Sequence, residues 1–237
     1  MTQNYFRNIK TYGKIILNTE IFNSSQRVEA QKKLSTLFNE LEKKNKDIFW
    51  TRKVYNKNEN PLLPIPKLFN AVIIDMEGSE PVKLFSVLIH NTIFSCGIIS
   101  PSIKYFYLTI IRILIILRKV LLFTFSYWDI ERIYDIREKM IQDYNVPVSK
   151  LRFIDNLKYF NLQEYDRESI SAALYSLGEE IPKDPLLRKS YQINRLYEDG
   201  FNDMVLQHNY SCFVCESTIF LKRFVKKHLL NTGADLL

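Results

Sequence analysis

The chain has 237 residues, with 46% apolar and 25% charged side chains, 6 glycines and 8 prolines. These are globular values; three cysteines exclude a disulfide scaffold, and so few Gly and Pro argue against a barrel or sandwich of many hairpins. The formal net charge of +7 points to an anionic partner, although an AT-biased coding sequence would also enrich Lys.

Residues 1–23 carry Arg7, Lys10 and Lys14, no acid before Glu20 and no continuous apolar run. That speaks against a secretory signal and leaves a mitochondrial presequence open. Residues 24–47 read as an amphipathic helix capped at Ser24 or Ser25, with Val28, Leu34, Leu37, Phe38 and Leu41 on its apolar face. Three prolines in NKNENPLLPIPK forbid regular helix there. NAVIID reads as a short strand or a buried extended segment without a partner strand.

Composition then shifts. Residues 81–128 contain no acid, in a chain that has 26, and carry Lys83, Lys104, Arg112, Arg118 and Lys119. Leu84 to Ser100 is an uncharged run at the short end of a bilayer span. Ile103 to Phe125, placed on a helix, gathers its four cations into a sector of roughly 120°. Arg112 near the centre disfavours a transmembrane helix, since a central Arg costs at least about 2.5 kcal/mol. Three readings stay open: a membrane-apposed helix with its basic stripe toward headgroups, a helical hairpin covered by other subunits, or a retained intron without evolved structure.

From Asp129 the pattern is regular. Asp129 reads as N-cap of a helix with Ile130, Ile133, Tyr134, Met140, Ile141 and Tyr144 inward, ending at Asn145 and Pro147. A short helix is expected over Lys150 to Phe160, and another from Asp166 to Gly178, with Ala173, Leu174 and Leu177 inward. Asp184, Pro185 and Gly200 frame a further helix, and Ser217 caps the last, whose wet face carries Lys222, Arg223, Lys226, Lys227 and His228. The organisation predicted is 1–80, an N-terminal helix plus Pro-rich linker; 81–128, the apolar basic segment; and 129–237, a C-terminal helical module. The fold class is mainly α, an irregular helical assembly with an apolar helical hairpin or membrane-apposed segment.

His208, Cys212, Cys215 and His228 have the spacing His-x3-Cys-x2-Cys-x12-His, whose thiolates and imidazoles suit tetrahedral zinc. The Cys-x-x-Cys lacks a turn-forming Gly, so buried cysteines and surface histidines are the expected state. Glu179–Glu180 and Glu198–Asp199 read as solvated turn residues, His90 as a core histidine, and no Gly-rich phosphate loop is present. No catalytic, cofactor-binding or metal residues are expected, and no cofactor.

The stretch ISAALYSLGEEIPKDPLLRKSYQINRL, continuing to FLKRFV, resembles the small helical matrix-side subunit of mitochondrial ubiquinol–cytochrome c reductase, respiratory complex III. Ala173, Leu174 and Leu177 match its first part, Arg188 falls on one Arg of its Arg-rich helix, and Ile219 lies where its last helix begins. Gly178, Pro185 and Tyr191 depart from the pattern. The resemblance implies a structural role: a non-catalytic accessory subunit on the matrix side of the mitochondrial inner membrane, touching other subunits of a membrane complex and anionic phospholipid. Arg188, Arg195, Lys222 and Arg223 are then the candidate partner or lipid contacts. The alternative expectation is a basic RNA-associated or mitochondrial ribosomal protein, suggested by interleaved basic and aromatic residues.

Overall fold

The computed structural model describes residues 24–42, 48–55, 65, 67, 69–99, 103–165, 167–186 and 190–225. In chain order the elements are α1 (Ser24–Glu42), β1 (Ile48–Val54), β2 (Ala71–Glu77), β3 (Leu84–Ile89), β4 (Thr92–Ile98), α2 (Ile103–Leu117), β5 (Leu121–Thr124) and α3 (Tyr127–Gln142). There follow α4 (Val148–Leu151), β6 (Tyr159–Asn161), α5 (Ile170–Ser176), α6 (Ile193–Glu198) and α7 (Asn202–Ile219), the last continuing as π-helical turns over Phe220–Val225. The strands form one six-stranded sheet in the order β1-β4-β3-β2-β5-β6. β1, β4, β3 and β2 run antiparallel to their neighbours, while β5 and β6 add in parallel beside β2.

This is an α/β fold, and it overturns the mainly α expectation with its apolar hairpin or membrane-apposed segment. The acid-free window 81–128 supplies β3, β4, α2 and β5. Every residue of the three strands is buried. A strand covered on both faces shows an unbroken apolar run with no period-two alternation, which is why this stretch imitates a membrane helix. His90 and Asn91 make the two-residue turn between β3 and β4, His90 with φ 53°. Among the described residues, no helix is long and apolar enough to cross a membrane. Arg112, on the exposed side of α2, reaches Glu40 of α1 at 3.9 Å.

The sheet separates two apolar cores. Val72, Ile74 and Met76 of β2 pack with α1, α2 and α3; Ala71 and Ile73 pack on the other side with Phe213, Ile219 and Phe220 of α7 and its extension. Gly97 lets a third element in: a Cβ there would lie 2.0 Å from Tyr197 Oη of α6 and 2.3 Å from the Phe49 ring.

Several predicted boundaries move. On α1, Val28 is 56% exposed and Arg27 turns inward instead, donating to the Lys67 carbonyl at 2.6 Å. Ser126, not Asp129, caps α3, accepting from Trp128 N at 3.3 Å. The segment expected to be helical from Lys150 to Phe160 passes through a 3-10 turn, Arg152–Asn156, and ends in β6. Between Asp184 and Gly200 the described α-helix is Ile193–Glu198. Ser217 lies inside α7, its hydroxyl donating to the Val214 carbonyl at 3.0 Å. Asp166 and most of the Pro-rich loop lie outside the described residues.

Candidate metal centre

Alternation along β2 carries Asp75 and Glu77 to the same side as Ala71 and Ile73, the side that α7 covers. The last pairing of β2 with β5 is Ile73 with Phe123, so both acids lie beyond that ladder, where the sheet has a gap to line. Clefts outside the carboxyl ends of strands, where the chain direction of neighbouring connections diverges, are the usual ligand sites of open α/β sheets.

Three other elements converge there. In the first turn of α3, Asp129 Oδ1 accepts from the Met76 amide at 3.1 Å, which ties the helix to β2. On α7, His208, Cys212 and Glu216 recur every four residues and share one face. Asn209 Nδ2 donates to Asp75 Oδ2 at 2.8 Å. His208 Nδ1 lies 2.7 Å from Asp184 Oδ1, and Asp184 Oδ1 also accepts from the Leu186 amide at 3.1 Å. Asp75, Glu77, Asp129, His208, Cys212 and Glu216 line a cleft of about 520 Å³, with Trp128 and Tyr191 also on its wall. A groove of about 640 Å³ between α1 and α2 is lined by residues such as Lys33, Glu40 and Arg112, whose charges face solvent.

The four carboxyl groups Asp75, Glu77, Asp129 and Glu216 are all buried, at 8, 5, 3 and 1% exposure. Burial pushes the Asp75 carboxyl up to about 7, against hydrogen bonds from the Met76 amide, Asn209 and Glu77. Burial and then the charges of Asp75 and Asp129 hold Glu77 well above the usual carboxylate range. The same order of causes, burial first and Asp75 second, raises Asp129 and Glu216. Among the described residues, Glu216 Oε2 is buried without a hydrogen-bond partner. Among the described residues, no Lys or Arg lines this cleft.

Hard oxygen donors from three elements, dry and mutually repelling, suit a divalent cation such as Mg²⁺ or Mn²⁺. Such an ion would turn the repulsion into attraction and give Glu216 Oε2 a partner. The residues present therefore fit a hard divalent metal.

The residues expected from the sequence are distributed differently. Arg188 and His228 lie outside the described residues. Arg195 is 86% exposed and pairs with Asp199 at 3.6 Å, and Lys222 pairs with Glu179. Arg223 points inward: its guanidinium grips both Glu168 oxygens at 2.7 Å and also donates to the Leu162 carbonyl and Ser176 hydroxyl. Of the four spaced Cys and His residues, His208 and Cys212 meet, with Nε2 3.8 Å from Sγ, while Cys215 packs in the apolar core. His208 is buried at 3% exposure, against the expectation of a surface histidine.

Sequence reasoning missed Asp75, Glu77, Asp129 and Glu216. Two acids two positions apart, closing an apolar strand, are a legible signal, because period two places them on one face. Glu216 has no such local mark. No known protein family, curated protein or solved structure matches the chain, so what the cleft does rests on its own groups.

Proposed function

We propose that the protein is a divalent-cation-dependent hydrolase of phosphodiester bonds, with single-stranded nucleic acid as the substrate class. The observation that carries this reading is the convergence of Asp75, Glu77, Asp129 and Glu216, four buried carboxyls, on one cleft. Clustered carboxylates of this kind hold the paired metal ions of nucleases, polymerases and phosphatases, which polarise the phosphoryl oxygen and activate water. The chain's own residues have separate tasks. Asn209 and the Met76 amide orient Asp75 and Asp129. Tyr191, 77% exposed, offers an aromatic face at the cleft on which an unstacked base can lie, while Arg132 lies over the half-buried Trp128 ring at 5.1 Å. Base–aromatic stacking contributes about 1–3 kcal/mol per base, which favours a nucleic acid over a small phosphomonoester. The net charge of +7 attracts a polyanion to a protein whose reactive cleft is itself acidic.

The accessory-subunit reading rests on the resemblance; within the apolar window the strands β3, β4 and β5 are buried, while Ile99, Tyr105 and Ile115 stay exposed. The nucleic-acid partner of the alternative expectation is retained here.

The test is hydrolysis of end-labelled single-stranded DNA and RNA by the full chain with Mg²⁺ or Mn²⁺. Activity should vanish with a chelator and fall at least about 100-fold in Glu216→Gln, the upper end of what even a group supporting a metal ligand carries. Cleavage that survives the chelator, or is unchanged in E216Q, overturns the reading.

A further inference from the structure

A second donor set sits at one end of the same cleft and has a different chemical character. Glu77 Oε1, His208 Nε2 and Cys212 Sγ lie within 4.8 Å of one another, and all three residues are buried. His208 and Cys212 are four residues apart on α7 and so share a face, opposite the end of β2 that bears Glu77.

The spacings leave room for an ion beside a long thiol–imidazole contact. Nε2 is 3.5 Å from Glu77 Oε1 and 3.8 Å from Cys212 Sγ. A charge-assisted hydrogen bond would draw Nε2 and Oε1 to about 2.7–2.9 Å. Tetrahedral zinc, with bonds of about 2.3 Å to sulfur and 2.0–2.2 Å to nitrogen and oxygen, holds its ligand atoms roughly 3.3–3.7 Å apart. The two separations from Nε2, 3.5 and 3.8 Å, are close to that span, and the third atom pair lies within 4.8 Å, so a modest inward shift of Glu77 and Cys212 would close the three around an ion. The imidazole is also oriented as a ligand. Asp184 Oδ1 lies 2.7 Å from Nδ1. A proton there, donated to Asp184, leaves the Nε2 lone pair aimed at Glu77 and Cys212, as in a carboxylate–histidine–zinc arrangement.

We propose that Glu77, His208 and Cys212 form a three-ligand zinc site, oriented by Asp184 and open to the cleft at its fourth position. Three protein ligands and one open position are the pattern of an accessible zinc site rather than a closed structural one. The ligand set differs from the sequence motif: Glu77 takes the place that Cys215 would fill. It borrows Glu77 from the phosphodiester-cleaving cluster and otherwise rests on different residues. Zinc and the hard cations thus compete for one carboxylate, so zinc acts as an inhibitor of the Mg²⁺-dependent reaction.

The test uses the full chain loaded with Zn²⁺ or Co²⁺ alone. Zinc should bind at one ion per chain, with an X-ray absorption spectrum showing one sulfur at about 2.3 Å. Cobalt should give a thiolate charge-transfer band. Cys212→Ser should remove the sulfur and the band, and Asp184→Asn should weaken binding 10–100-fold while keeping the sulfur. The absorption spectrum of the unsubstituted chain decides the matter even if a variant fails to fold. A shell of nitrogen and oxygen only, or sulfur that persists in C212S, overturns the zinc site. Failure to cleave nucleic acid with sulfur present in the shell would remove the proposed function and leave the zinc site standing.

Discussion

Glu168 and Asp75 line the same cleft, at 3 and 8% exposure, but their surroundings differ completely. Glu168 meets the Arg223 guanidinium through two bonds of 2.7 Å, and that hydrogen-bonded pair holds its carboxyl below the usual range. Asp75 faces three other acids, and burial raises it to about 7. A carboxylate whose partner is supplied by the chain fastens α7's extension to the loop before α5. A carboxylate whose counter-charge must arrive from outside marks a binding site. The cost of the second kind is offset by the apolar core beside it, where Phe69, Phe123, Phe213 and Phe220 each contribute about 1.5–3 kcal/mol on burial.

This contrast can be broken by substitution. The largest effect belongs to the unpaired group: Glu216→Gln should abolish phosphodiester cleavage while the metal-free melting temperature at neutral pH holds or rises, because the folded chain no longer has to keep a buried carboxyl protonated that the unfolded chain would ionise. A large fall in melting temperature with activity kept would assign the cluster a structural role. Arg223→Ala should do the reverse. Stranding Glu168 at 1% side-chain exposure costs about 3–5 kcal/mol, read as a lower urea midpoint, with little change in metal affinity.

Acid and base separate the two environments further. Asp75 has a folded pKa of about 7 against an unfolded value of about 3.9, so the folded state holds an extra proton between those values. Metal-free stability therefore falls as pH rises from roughly 4 to 7, and the raised Glu77, Asp129 and Glu216 act in the same sense. Mn²⁺ at a hundred times its dissociation constant should restore about 2.7 kcal/mol at pH 8. Glu168 works in the opposite sense: its contribution is complete above the unfolded value of about 4.3 and is lost as pH falls through its lowered folded pKa. Urea midpoints across pH, with and without Mn²⁺, check both; a flat metal-free profile between pH 4 and 7 would erase the distinction. The smallest effect is Arg195→Ala. Like Arg223 it is an arginine of the C-terminal region, but it sits in solvent, so its removal should stay within about 0.5 kcal/mol by chemical denaturation.

Features that depend on a few neighbouring residues were readable in the chain. The α1 segment, the inward face of α3 and the left-handed Gly178 and Gly200, at φ 70° and 82°, follow from spacing and turn chemistry, whereas the expected N-cap at Asp129 does not hold. The sheet was not readable. In AVIIDME and in the LFSVLI–TIFSCGI hairpin both faces are covered, which erases the alternation that announces a strand. Nor does local pattern distinguish an arginine facing water from one buried on a distant glutamate.

Sequence alone determined that amphipathic helices occupy the α1 and α3 segments and how charge is distributed along the chain. Tertiary structure decided that Asp75 and Glu77 end a buried strand and that Asp129, Glu216 and His208 join them. Capping and periodicity are short-range free energies, summed over a turn or two. The meeting of residues 75, 129 and 216 depends on strand order, which is fixed only when two cores are buried together across the whole sheet.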